Sequence, residues 1–139
     1  MKKLSLLFAV AAMFVFAGCG KYEDGPGFSL LSRKARIVGE WELDKYLYDN
    51  VDETASFMDG LTSFNWKFDN DGDLTITVSD GVDTQSSAMT WAFANDDADL
   101  NLTYNGSTDT YKILRLTNSE LWFETTEFGV TEEYRLKAK

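Results

Sequence analysis

From residue 38 to residue 137 apolar and polar residues alternate through short runs, and turn-forming residues separate the runs. Phe64, Trp66 and Phe68 alternate with Ser63, Asn65, Lys67 and Asp69; Leu74, Ile76 and Val78 with Thr75, Thr77 and Ser79. Met89, Trp91 and Phe93 oppose Ala88, Thr90 and Ala92, and Leu100, Leu102 and Tyr104 oppose Asn101 and Thr103. Val130, Tyr134 and Leu136 oppose Thr131, Glu133 and Arg135, with Glu132 on the apolar side. Successive side chains of a strand point to opposite faces, so a period of two marks a strand that is dry on one face and wet on the other. The pattern predicts eight strands, over roughly 38–48, 62–69, 73–79, 85–94, 98–104, 109–117, 120–126 and 129–137. A phase change at Ile113–Leu114 predicts a bulge, which turns a strand and sharpens curvature.

The connections are Asn70-Asp71-Gly72, Asp80-Gly81, Asn95-Asp96-Asp97, Asn105-Gly106, Asn118-Ser119 and Phe128-Gly129. Asn, Asp and Gly tolerate the positive φ of tight hairpins, so neighbours in sequence pair antiparallel. The exception is residues 49–61, DNVDETASFMDGL, after the first strand. Eight meandering strands, each with one dry face, remove their edges by closing on themselves. The expected fold is all-β, an antiparallel up-and-down meander of about eight strands closed into a barrel. Phe64, Trp66, Phe68, Met89, Trp91, Phe93, Tyr104, Tyr111, Phe123 and Tyr134 are the expected interior.

The chain has no histidine, and Cys19 is its one cysteine. The commonest general base, the usual zinc ligand and the serine–histidine triad are therefore excluded. Two carboxylates suffice for glycoside hydrolysis, but a short strand-rich chain argues against it, and no enzyme, catalytic residue or cofactor is expected. With 23 acidic against 13 basic residues, the surface repels nucleic acid. The turn Asp69-Asn70-Asp71-Gly72-Asp73 has oxygen ligands on alternate residues, as calcium requires, but its glycine comes fourth and Asp80 stands at position twelve. A hairpin turn explains the same residues, so no metal site is expected.

The N-terminal segment has a basic start (Lys2, Lys3), an apolar run from Leu4 to Ala17, and small residues before Cys19. This is the order of a secretory signal, and the run is shorter than the about 20 residues of a spanning helix. Phe16-Ala17-Gly18-Cys19 resembles the lipobox of bacterial lipoproteins, with Phe16 where leucine is usual. The resemblance implies cleavage before Cys19, acylation there (palmitate among the chains), and a firm tether to the cell envelope, expected at the outer membrane. Glu23 and Asp24 loosely resemble acidic signals that send lipoproteins to the cell surface. The expected organisation is a signal peptide over 1–18, acylated cysteine and linker over 19–35, and the barrel over 36–139. A short helix is expected around Phe28–Ala35.

Val38-Gly39-Glu40-Trp41 opens the first strand, Phe68–Gly72 forms a turn, and Glu133-Tyr134-Arg135-Leu136 ends the meander. Together they resemble the small lipocalin-like lipoproteins of Gram-negative bacteria. The resemblance implies that Gly39 and Trp41 plug one barrel end and that the other opens to a small apolar or amphipathic ligand. Residues 49–61 match the long loop of lipocalins, so Phe57 and Met58 are expected over the open mouth. Phe64, Trp66, Trp91, Phe93, Tyr111 and Phe123 are expected to line the site beneath. The alternatives are an interaction lipoprotein whose barrel is filled and takes no ligand, and a glycan-binding β-sandwich using Tyr46, Tyr48 and Trp122 as outward-facing rings.

Overall fold

The computed structural model describes Tyr22, Glu23 and residues 29–139; Cys19, Asp24 and Phe28 lie outside them. Among the described residues, α1 (Arg33–Ile37) leads into β1 (Gly39–Tyr48). A two-residue β2 (Val51–Asp52) and α2 (Thr54–Phe57) follow. Then come β3 (Ser63–Phe68), β4 (Asp73–Ser79), β5 (Thr84–Ala94), β6 (Asp99–Tyr104), β7 (Ser107–Leu116), β8 (Glu120–Glu127) and β9 (Val130–Ala138).

Every neighbouring pair is antiparallel, and β1 pairs with β3 on one side and β9 on the other. β1 and β3 to β9 thus form a closed eight-stranded barrel, the expected meander, and β2 extends the far end of β1. Asp49-Asn50, Asn105-Gly106 and Phe128-Gly129 each place two successive residues at positive φ, the conformation whose twist matches a hairpin. At the Phe68–Gly72 turn Gly72 has φ +98°, Asp69 O accepts from Gly72 N at 3.2 Å, and Asp71 Oδ1 accepts from Asp73 N at 3.3 Å.

Two bulges reset which residues face inward. The register of β7 against β8 shifts between Ile113 and Arg115, so Ile113 and Leu116 both face the core. This is the expected phase change. A second shift, between Leu43 and Lys45, makes Asp44 the extra residue of β1. Beyond it Tyr46 stands directly opposite the inward-facing Tyr134.

The end where β1 begins is the floor. Trp41, Phe68, Leu74, Leu100, Leu116, Leu121 and Leu136 are buried there, under the fully buried Ile37 of α1. The Trp41 indole donates to Ile37 O at 2.8 Å, and Arg36 Nη1 donates to Leu116 O at 2.6 Å. The helix begins later than expected because Ser32 is its N-cap, its Oγ accepting from Ala35 N at 3.1 Å. Gly39 then turns the chain into β1 at φ +147°. A methyl group added there would meet nothing within 4 Å, so backbone conformation, not space, is what calls for glycine. Tyr22 also docks on the floor, 5% exposed, its hydroxyl donating to Asp97 O at 2.9 Å. The packed unit therefore includes residues from the stretch expected to be linker.

Candidate functional site at the open end of the barrel

The other end of the barrel carries the 49–62 loop and the hairpins at 80–83, 105–106 and 128–129. The loop is pinned to β1 through Tyr46. Its amide donates to Thr54 Oγ1 at 2.9 Å, and its carbonyl accepts from Glu53 N at 2.9 Å. Asp52 Oδ1 accepts from Thr54 N and Thr54 Oγ1 at 3.0 and 2.5 Å, and these bonds to the Thr54 hydroxyl and amide hold the Asp52 carboxyl below its usual range. So fixed, α2 lays the Phe57 ring over the barrel, 4.5 Å from Tyr46, 5.2 Å from Phe64 and 6.1 Å from Tyr134.

Beneath Phe57 the rings form one connected stack. Phe64 meets Trp66 at 5.8 Å, and Trp66 meets Phe123 at 5.4 Å and Tyr134 at 6.0 Å. Tyr111 meets Phe123 at 5.3 Å. Lower down, Trp66 stacks on Phe68, which passes contact to Trp91 and then Phe93. Phe57, Phe64, Trp66, Tyr111 and Phe123 are therefore brought together. Trp91 and Phe93 stand towards the floor, reaching Trp66 only through Phe68. Met58 caps α2, partly buried, its amide bonded to Thr54 O at 2.9 Å.

The polar atoms divide the tryptophans. Trp41 and Trp91 have their indole N–H groups satisfied, Trp91 by Asp69 O at 3.0 Å. Trp66, 4% exposed, has a buried Nε1 with no hydrogen-bond partner. Such an orphan donor costs about 1–3 kcal/mol.

Tyr46, Tyr134 and Glu132 were not among the expected site residues. Burial pushes Tyr46 up to about 12, with the charge and hydrogen bonding of Glu132 adding to it. Burial also raises Tyr111 and Tyr134, and again the Glu132 charge contributes. The sequence signal for this cluster was the break in alternation that puts Glu132 on the apolar face of β9. Tyr46 was assigned outward because the Asp44 bulge has no hydrophobic signature.

The expected outward rings are corrected accordingly. Tyr46 faces in, and Trp122 is outward but lies between two guanidiniums, Arg135 at 4.2 Å and Arg115 at 5.3 Å from its ring. Tyr104, expected inside, is 51% exposed: β5–β6 pairing stops at Thr90–Thr103, and its partner on β7 is the small Ser107.

Several clefts border the barrel. One of about 240 Å³ opens at the mouth between Tyr48, Thr125, Glu127, Phe128, Val130 and Glu132. A larger one, about 590 Å³, lies outside the wall between Ser29–Leu31 and the β7–β8 turn. Its charged members Arg115 and Glu120 are already paired at 3.0 Å, and it has no contact with the ring stack.

A family model for the lipocalin-like domain matches residues 37–123. The chain belongs to that family. Its fold is similar to the crystal structure, at 1.79 Å, of a lipocalin-like protein from Bacteroides uniformis ATCC 8492. The two superpose with a TM-score of 0.53 at 16% identity, over 72% of this chain and 97% of the other. No curated protein sequence matches the chain. Within this lipocalin-like domain, Trp41 and Gly39 stand at the floor and Phe57 at the mouth, the two ends the family resemblance separates.

Proposed function

We propose that this lipocalin-like domain is a lipid-anchored binding protein for a small apolar or amphipathic molecule, entered at the mouth that Phe57 covers. The observation that carries the reading is the Trp66 indole N–H, buried without an acceptor one ring layer beneath that lid, against Phe64 and Tyr134. A core packed only for stability gains nothing from an orphan donor, whereas a ligand oxygen there would satisfy it. The lid is a helix of four residues, and opening it parts Phe57 from Tyr46, Phe64 and Tyr134. The anchoring half of the proposal is supported by the lipobox-like Phe16–Cys19, and the tether proposed is to the cell envelope, at the outer membrane.

Native mass spectrometry of protein purified from its host is expected to show a bound small molecule that Trp66→Phe diminishes. Adamantanol titrated into the full chain in lipid nanodiscs is expected to quench tryptophan fluorescence saturably, and Phe57→Ala is expected to alter the affinity. Absence of both signals would establish the filled barrel, the reading favoured by the unbroken ring contacts of 4.5 to 6.4 Å. Cys19→Ser is expected to abolish incorporation of labelled palmitate and membrane association; retention of both would overturn the anchor.

A further inference from the structure

The mouth has a charge as well as a shape. Directly opposed residues on adjacent strands share a face, so register identifies what lines it. Tyr134 faces Phe123 and Tyr46, Glu132 pairs with Thr125 and Tyr48, and Glu127 pairs with Val130. On β7, Asp109 lies opposite the inward-facing Leu102, two residues before Tyr111. The inner surface of this arc carries three carboxylates, Asp109, Glu127 and Glu132, among Tyr46, Tyr48, Tyr111 and Tyr134. No lysine or arginine occupies an inward position on β7, β8, β9 or the upper half of β1. The cations at this height, Lys45 and Arg135, oppose each other on the outward face, where Arg135 is engaged by Glu133 and Trp122. None of the three carboxylates forms an ion pair among the described residues.

Two of the carboxylates, Glu127 and Glu132, border the 240 Å³ cleft, and so does Phe128. Phe128 is fully exposed and holds φ +50°, a conformation that suits Asn or Gly far better than a bulky ring. An aromatic side chain kept there at a conformational cost, beside a carboxylate-lined cleft, points outward to a partner rather than inward to a core. Electron-rich ring faces and carboxylates together recognise one kind of group, an organic cation. The fields already overlap, since the Glu132 charge is felt by Tyr46, Tyr111 and Tyr134 alike.

We infer that the ligand of this mouth is a small organic amine with an apolar body, its ammonium held by Glu127 and Glu132 against the tyrosines and its body covered by Phe57 and Phe128. This rests on the proposed binding function and adds a positive charge at the rim, above the Trp66 N–H, whose acceptor is an oxygen elsewhere on the same ligand. An anionic amphiphile, such as a fatty acid, is thereby excluded.

The test uses three probes that share one apolar body: aminoadamantane, adamantanol and adamantane carboxylate. Each is titrated calorimetrically into the full chain in lipid nanodiscs, with empty discs as the blank. Aminoadamantane is expected to bind about tenfold tighter than adamantanol, which corresponds to about 1.4 kcal/mol, and the carboxylate weakest. In the Glu127→Gln, Glu132→Gln variant the amine's advantage over adamantanol is expected to disappear, with far-ultraviolet circular dichroism and the thermal midpoint reporting that the barrel is intact. With the wild-type chain, raising salt to about 0.5 M is expected to narrow the same gap. Adamantanol binding as tightly as the amine, or the carboxylate binding better, overturns the cationic ligand and leaves the mouth as a binding site. Failure of all three probes to bind overturns both.

Discussion

Single residues in this barrel are held in conformations that only their surroundings explain, and substitution separates stability from binding. Phe128 at φ +50° is strained and buries nothing, so Phe128→Asn is expected to stabilise the domain by about 1 kcal/mol. The same change is expected to weaken aminoadamantane binding; thermal unfolding and calorimetry on one preparation check both, and a loss of stability would show that the ring packs. At the other end, Gly39→Ala is expected to cost about 1–3 kcal/mol through backbone strain alone. Denaturant midpoints would measure it, and an unchanged midpoint would remove Gly39 from any role in aiming Trp41. The placing of Gly39 and Trp41 at one end followed from the resemblance of Val38–Trp41 to the lipocalin-like entry. The importance of Phe128 was not legible, because an aromatic in a two-residue turn reads only as a poor turn former until its exposure is known.

At the scale of elements, the bulge at Asp44 decides the site. Deleting Asp44 would remove the extra residue and leave Leu43, Tyr46 and Tyr48 on one face in unbroken alternation, because Leu43 already lies opposite Leu136 and Lys45 opposite Arg135. The deletion is expected to keep the Tyr46 contacts with Phe57 and Tyr134 and, with them, the near-ultraviolet circular dichroism of the tyrosines. Collapsed spectra would mean that the ring cluster depends on the geometry of the bulge itself and not on which face Tyr46 takes. The β7 bulge was readable because both flanks are strongly apolar, Tyr111 and Ile113 before it and Leu114 and Leu116 after it. In β1 the residues Asp44 and Lys45 are both polar, so no shift of phase is visible along the chain. Likewise α2 is set by tertiary bonds from Tyr46 and Asp52 to Thr54, a pattern that no periodicity announces.

For the whole molecule, the tyrosines tie stability to pH. Burial raises Tyr22 and Tyr46 to about 12, and raises Tyr111 and Tyr134 as well. The folded state thus prefers neutral phenols. Their contribution is complete below the ordinary value of 10.0 and is lost as pH rises through the raised values. The thermal midpoint is expected to stay level up to about pH 9 and to drop by about 5 °C or more by about pH 11. Phenolate absorbance followed beside it should appear with unfolding; ionisation of all six tyrosines in a folded chain would refute the burial argument. Orientation is a second consequence, given the proposed anchor. Tyr22 is docked on the floor only three residues from Cys19, a reach of roughly 10 Å when extended. The floor is therefore expected to face the membrane and the mouth to face away. A fluorophore at Asn118 should be quenched by nitroxide-labelled lipid headgroups more strongly than one at Val82, and equal quenching would mean that the barrel tumbles freely on its tether.

By itself, the sequence determined what depends on neighbours along the chain: strand number, antiparallel order, closure and the hairpins. A period of two and a turn signal are local properties, so they can be read without coordinates. Which residues meet inside the closed barrel was decided only by the tertiary structure. Cross-barrel register and a bulge among polar residues set whether Tyr46 faces Tyr134 or the solvent. The docking of α2 sets where Phe57 lies, and the assembled stack leaves Trp66 without an acceptor. Charge followed the same division: the excess of acid was plain from composition, but its concentration at an aromatic mouth arises because Glu127 and Glu132 on β8 and β9 join Asp109 on β7 around one opening.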